Sequence, residues 1–224
     1  MTTSMPVTVR CAVCGADSAQ HVLSSTSTFG PPDLDLRPNG PARWALQFQI
    51  QRCPRCGYCA EQIGQRTRGA RRAVGSIVYR DVLENARMPE LARTYFCAAL
   101  VAEAAEQRDV SASHFLSAAW SCDDSGATVQ ARICRDRAAE MLTKAIEWGD
   151  VPSESPVVHG VRADMLRRAG RYAEALDALD AVHPTEVVDV EPTQAATVLA
   201  YIRELAEVGD DDPHSVDEAF AADE

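Results

Sequence analysis

A chain of 224 residues with 46% hydrophobic and 25% charged side chains is composed like a folded protein large enough to bury a substantial core. It has no apolar run near the ~18 residues of a membrane span, and MTTSMPVTVRCAVCG lacks the basic start and apolar centre of a secretory leader. The expected setting is therefore the cytoplasm, with thiols reduced and no membrane partner. The net charge of −11 divides unevenly: residues 1–75 hold nine arginines against four acids, whereas residues 76–224 hold 13 basic groups against 29 acids.

The first segments, VTVR and HVLSSTST, are short strand candidates. Between them CAVCG places Cys11 and Cys14 two residues apart with a glycine following, and CPRCG repeats the arrangement at Cys53 and Cys56, 38 residues later. A C-x2-C turn aims backbone N–H groups at its thiolates, and two such turns supply four sulfur ligands with no open position for water. That is the donor set of a structural Zn2+ site in a zinc ribbon, a redox-active dithiol pair being the alternative. RWALQFQIQRC alternates Leu46, Phe48 and Ile50 with glutamines and predicts a half-buried strand into the second turn. Cys59 is the spare thiol of the CPRCGYC run and reads as a packed residue. Cys97, Cys122 and Cys134 fall in helical patterns and read as core residues.

STFGPPDLDLRPNG, between the two C-x2-C turns, is rigid loop chemistry. Its Asp33, Asp35 and Arg37 form a candidate ligand-facing loop, two carboxylates beside a guanidinium that would suit a cation, a proton transfer or an anion. The plainer reading has the aspartates accepting backbone N–H bonds and pairing with Arg37.

CAVCG, STFGPPDLDLRP, the tryptophan-bearing segment running into CPRCGY, and a later FLSAAW together resemble the bacterial proteins grouped as domain of unknown function 2225. The resemblance spans roughly residues 6–150. It implies paired CxxC motifs, here Cys11, Cys14, Cys53 and Cys56, followed by tetratricopeptide-like helices, and implies no particular biochemical activity.

From residue 76 the pattern turns helical. Ser76 is a candidate N-cap for SIVYRDVLENAR, and Pro89 opens PELARTYFCAALVAEAAEQ, with Leu91, Tyr95, Ala98 and Ala102 on one face. VSASHFLSAAWSC follows, and then the long ATVQARICRDRAAEMLTKAIEWG, whose expected apolar stripe is Val129, Ile133, Met141 and Ala145. RRAGRYAEALDALDAV places Gly170, Tyr172, Ala175, Leu179 and Val182 in the order of a tetratricopeptide second helix. Ala112, Leu116 and Ala119 echo it 63 residues earlier. PTQAATVLAYIRELAEVG closes the array, and DDDPHSVDEAFAADE reads as an acidic, partly disordered tail. His114, His159, His183 and His214 show no ligand spacing.

The predicted architecture is α+β and mostly α: a zinc-ribbon-like domain over 1–75, a helical domain over 76–209 able to fold alone, and a tail over 210–224. The leading functional reading is a non-enzymatic zinc-binding interaction module that takes a protein or peptide in a helical groove, with self-association as the plainer role for the helices. A second reading is a nucleic-acid-binding ribbon using Arg66, Arg68, Arg71 and Arg72. At least two of these are expected to pair with acids of the helical half, which would argue against that use. A third is an enzyme built on Asp33, Asp35 and Arg37. No P-loop, G-x-S-x-G, HExxH or dinucleotide fingerprint is present.

Overall fold

The computed structural model describes residues 1–182 and 192–222. Strands β1 (Thr3–Arg10) and β2 (Asp17–Ser25) form an antiparallel hairpin with the first C-x2-C turn at its tip. A much shorter pair, β3 (Gln51–Arg52) and β4 (Cys59–Ala60), flanks the second turn. Both expected outer strands are present and longer than the sequence suggested.

The strand expected from Trp44 onward is replaced by a 3-10 helix over Gly40–Phe48, and only Gln51 and Arg52 are extended. Pro41 sits in its first turn, where a fixed φ favours helix. The buried positions, Ala42, Ala45 and Leu46, keep three- and four-residue spacing. Tyr95 Oη donates to the Leu46 carbonyl at 2.8 Å, fastening the end of this helix to the helical half.

Nine helices follow among the described residues: α1 (Ala70–Gly75), α2 (Ile77–Glu84), α3 (Glu90–Ala104), α4 (Arg108–Asp124), α5 (Thr128–Trp148), α6 (Pro156–Arg168), α7 (Tyr172–Asp180), α8 (Pro192–Glu207) and α9 (Val216–Ala222). Ser76 caps α2, its Oγ accepting from Tyr79 N at 3.2 Å. Helices α3 with α4, and α6 with α7, pack as consecutive pairs, and α8 lies on α6 and α7. Ala112 and Leu116 in α4, and Ala175 and Leu179 in α7, are buried as their shared spacing predicts.

On α5 the buried face differs from the expected stripe. Val129 and Ile133 are exposed, while Ala131, Cys134, Arg135, Ala138, Met141 and Ala145 are buried. The pattern of apolar residues misplaced this face because its fixed point is a charge: Arg135 is 1% exposed.

That charge belongs to a network closed by the Pro-rich loop. Asp35, itself 1% exposed, accepts from Trp120 Nε1 of α4 at 2.8 Å and from Arg168 of α6 at 3.4 Å, with Arg135 of α5 at 3.6 Å. Arg135 and Arg168 also hold Asp123, at 2.5 and 3.2 Å, while Arg37 reaches Asp124 at 2.6 Å. Burial alone would raise the Asp123 carboxyl, but its hydrogen bond with Arg135 and the charges of Arg135, Arg168 and Arg37 outweigh it and hold it below the usual range.

The segment read as an acidic tail is built into the same face. Leu34 N donates to His214 O at 2.9 Å, Val216 N donates to Pro32 O at 3.0 Å, and Asp33 bridges Ser215. Ser215 and Glu218 form a reciprocal capping box: Ser215 N donates to the Glu218 carboxylate at 2.9 Å and Glu218 N to Ser215 Oγ at 3.3 Å. The buried side chains form one cluster running from Cys11 to Ala219.

Breaking one member of this buried network strands the charges that remain. Asp35→Asn keeps an acceptor for Trp120 but leaves two arginines under-compensated, and should cost about 3–5 kcal/mol in urea unfolding followed by helical circular dichroism. Arg43→Ala, which removes the more exposed pair with Asp33 at 2.9 Å, should cost about 1 kcal/mol or less.

Candidate metal centre

The two C-x2-C turns have the same backbone. Cys11 N donates to Ala16 O and Gly15 N to Cys11 O; 42 residues on, Cys53 N donates to Tyr58 O and Gly57 N to Cys53 O, all between 2.8 and 2.9 Å. Each turn needs its glycine in the left-handed region, Gly57 at φ +76°. Gly57 has a second constraint, since a Cβ there would lie 2.5 Å from Leu83 Cδ2 of α2. Tyr79 of α2 completes the junction, donating to Gly57 O at 2.8 Å and accepting from Cys59 N at 3.0 Å. Ala12 N donates to Ile63 O at 2.9 Å and ties the first turn to the segment leaving the second.

These constraints bring Cys11, Cys14, Cys53 and Cys56 together, with all four sulfurs within 4.8 Å of one another. Cys11 lies 3.7 Å from Cys56 and Cys14 lies 3.6 Å from Cys53. A tetrahedral tetrathiolate with bonds of ~2.3 Å has sulfur–sulfur edges of about 3.8 Å, so the donor set matches a bound ion in both kind and spacing. The four thiols differ as acids. The Ala16 N–H, donating to its sulfur, holds Cys14 down to about 7, while burial pushes Cys11 and Cys56 up.

Cys59 stays outside the cluster. It is fully buried, and its Sγ donates to Gly57 O at 3.2 Å. Cys97 of α3 lies against it, and the hydrogen bond to Cys59 together with burial pushes the Cys97 thiol far up. Cys122 and Cys134 are likewise fully buried.

The candidate ligand-facing loop turns its three side chains inward: Asp33 to Arg43, Asp35 to Trp120, Arg168 and Arg135, and Arg37 to Asp124. Arg37 therefore pairs with α4, not with its neighbouring aspartates, although its backbone N–H does donate to Asp35 at 3.3 Å. Trp120, Arg135, Arg168 and Asp123 were not singled out from sequence. Arg135 recurs at helical spacing with Ala131 and Ala138, which is the signal that could have marked it.

The expected ion pairs of the arginine run are not formed. Arg66, Arg68, Arg71 and Arg72 are all exposed, and none makes a salt bridge among the described residues. Ala70 and Ala73 take the buried face of the short α1, leaving Arg71 and Arg72 to solvent. Arg71 shares an open hollow with Arg10 beside Cys11 and Cys14. Of the remaining histidines, His159 shares a 2.8 Å hydrogen bond with Ser153 O, His214 lies between Asp210 and Glu218, and His183 lies outside the described residues.

No protein-family model, curated protein or solved structure matches the chain. Among the described residues no helix is long and apolar enough to cross a membrane.

In metal-stripped protein at pH 7, iodoacetamide should modify Cys14 well before Cys56, and restoring the metal should protect all four ligands, as read by peptide mass mapping. Cys53→Ser should abolish stoichiometric metal binding while Cys59→Ser leaves it intact, as read by elemental analysis of the purified proteins.

Proposed function

We propose that the chain is a non-enzymatic interaction module in which one structural Zn2+, held by Cys11, Cys14, Cys53 and Cys56, stiffens a small ribbon against a helical partner-binding array. A closed set of four thiolates favours zinc in a structural role. Membership of the domain of unknown function 2225 family and a cytoplasmic setting are part of the same reading.

The observation that carries the partner-binding role is Leu36. It is a non-glycine residue at φ 64°, a costly backbone region for a leucine, and it stays 48% exposed between two buried charges. It stands at one end of an apolar furrow of about 170 Å3, formed with Val157 and Val161 of α6, Val198 and Leu199 of α8, and Phe220 of α9. The surrounding half of the chain is strongly acidic. The matching partner is a protein segment that presents apolar anchors between basic residues.

Charge reversal of the furrow tests this. A basic amphipathic peptide should shift furrow resonances in an NMR titration of the zinc-loaded chain. Phe220→Asp with Val157→Asp should remove the shifts while leaving helical circular dichroism unchanged. A partner that persists on the double variant would move the binding role elsewhere.

The unpaired arginines favour a second reading, a ribbon that binds nucleic acid through Arg66, Arg68, Arg71 and Arg72. Its measurement is titration with mixed DNA and RNA oligomers at physiological salt. Sub-micromolar affinity lost in Arg68→Ala with Arg72→Ala would support this reading over the furrow.

A further inference from the structure

The inner face of the β1–β2 hairpin stands off from α4 and leaves a cleft of about 640 Å3. One wall is apolar, made by alternate hairpin residues such as Val9 and Val22, with the half-buried Phe48 at its edge. The opposite wall is polar. Three of its residues, Gln51, His114 and Ser117, are 4%, 7% and 7% exposed.

Each of the three carries a polar atom without a protein partner among the described residues. Gln51 spends its Oε1 on Ile63 N at 3.0 Å and leaves Nε2 free. Ser117 Oγ makes no hydrogen bond. His114 has only the Glu61 carboxylate at 3.9 Å and the Tyr95 ring at 6.0 Å, and burial holds its imidazole below the usual range, hence neutral. Buried polar atoms are nearly always satisfied, so three together facing one cavity call for an occupant with its own donors and acceptors.

We propose that this cleft is a nucleotide-binding site, with the base between the apolar hairpin wall and the Gln51–His114–Ser117 wall. The cleft's volume is that of an ordinary small-molecule site. No lysine or arginine lines it, which disfavours a carboxylate or phosphate inside. An amide, a neutral imidazole and a hydroxyl match the mixed donor and acceptor edge of a base, and Phe48 offers an aromatic surface for stacking.

The phosphate has its own place. The hollow holding Arg10 and Arg71 borders the cleft at a shared residue, Gly64. A Cβ on Gly64 would sit 3.0 Å from Val9 Cγ1, so the glycine lets this segment lie directly against β1 and keeps the divide thin. Val9 lines the cleft and Arg10, the next residue, lines the hollow. A 5′-phosphate on a base bound in the cleft would pair with both guanidiniums.

The source is either a free nucleotide or a residue of single-stranded nucleic acid, and the same experiment separates them. Zinc-loaded full-length protein is titrated with the four 5′-ribonucleoside monophosphates, their nucleosides and short single-stranded oligomers, followed by calorimetry and by the ring resonances of His114. At least one monophosphate should bind and shift His114, with its nucleoside roughly tenfold weaker. Arg71→Gln should erase that tenfold difference. His114→Phe, which keeps a planar ring, should weaken every ligand roughly tenfold without changing the circular dichroism. Tighter binding of oligomers, lost in His114→Phe, assigns the site to a polymer; equal binding assigns it to the free nucleotide. Oligomer binding abolished by Arg68→Ala with Arg72→Ala but untouched by His114→Phe would overturn the cleft while sparing the arginine face. An unmoved His114 at millimolar concentrations of all four nucleotides would overturn it outright.

Discussion

Asp35 is a carboxylate buried where no water can solvate it, and the architecture around it is the means by which that charge is tolerated. An isolated ion in such a place would be prohibitively costly, so Trp120, Arg135 and Arg168 must converge on it from three different helices. Their convergence fixes the relative rotation of α4, α5 and α6 more narrowly than alanine-rich faces alone would. Alanine contacts permit sliding, whereas a hydrogen-bonded charge cluster has one register. Asp123 and Asp124 then balance the surplus guanidiniums, and the loop that delivers Asp35 is itself held from behind by the bridge at Ser215.

The metal centre answers a different weakness. Hairpin β1–β2 exposes most of its surface, and β3–β4 is two residues long on each side, too little sheet to persist unaided. Four thiolates on one ion would join the tips of both hairpins, and Gly57 and Tyr79 carry that junction onto α2. The ribbon is thus fastened twice to the helices, by the second turn and by the Asp35 loop, with Tyr95 gripping the 3-10 helix between them.

What the sequence disclosed follows from the kind of signal each element emits. The C-x2-C turns, the Ser76 cap and the positions of Ala112, Leu116, Ala175 and Leu179 are local patterns, and each lies where its pattern places it. The segment after Trp44 alternates like a strand, yet Pro41 and the 42–45–46 spacing carry it into a 3-10 helix. Two competing periodicities were written over the same residues. Arg135, Arg168 and Asp35 were opaque for another reason. A buried charge looks like a surface charge until its counter-charges are known, and these stand up to 133 residues apart. Ser215 and Glu218 did announce a helix start, though the acidity of their surroundings obscured it.

The chain order of these contacts sets the sequence in which they can be made. A ribosome releases the ribbon first, and the tetrathiolate can close once Cys56 has emerged, because the loop it closes is short. Asp35 must wait for Arg168, and the bridge from Asp33 waits for Ser215, near the last residue to be polymerised. Until then Arg135 and Trp120 lack the group they surround, and the helices formed so far can only associate loosely. Contacts of such long sequence separation are slow to find. Completion of the native protein is therefore a post-translational event, with the metal-bound ribbon serving as the early anchor from which the loop is held ready.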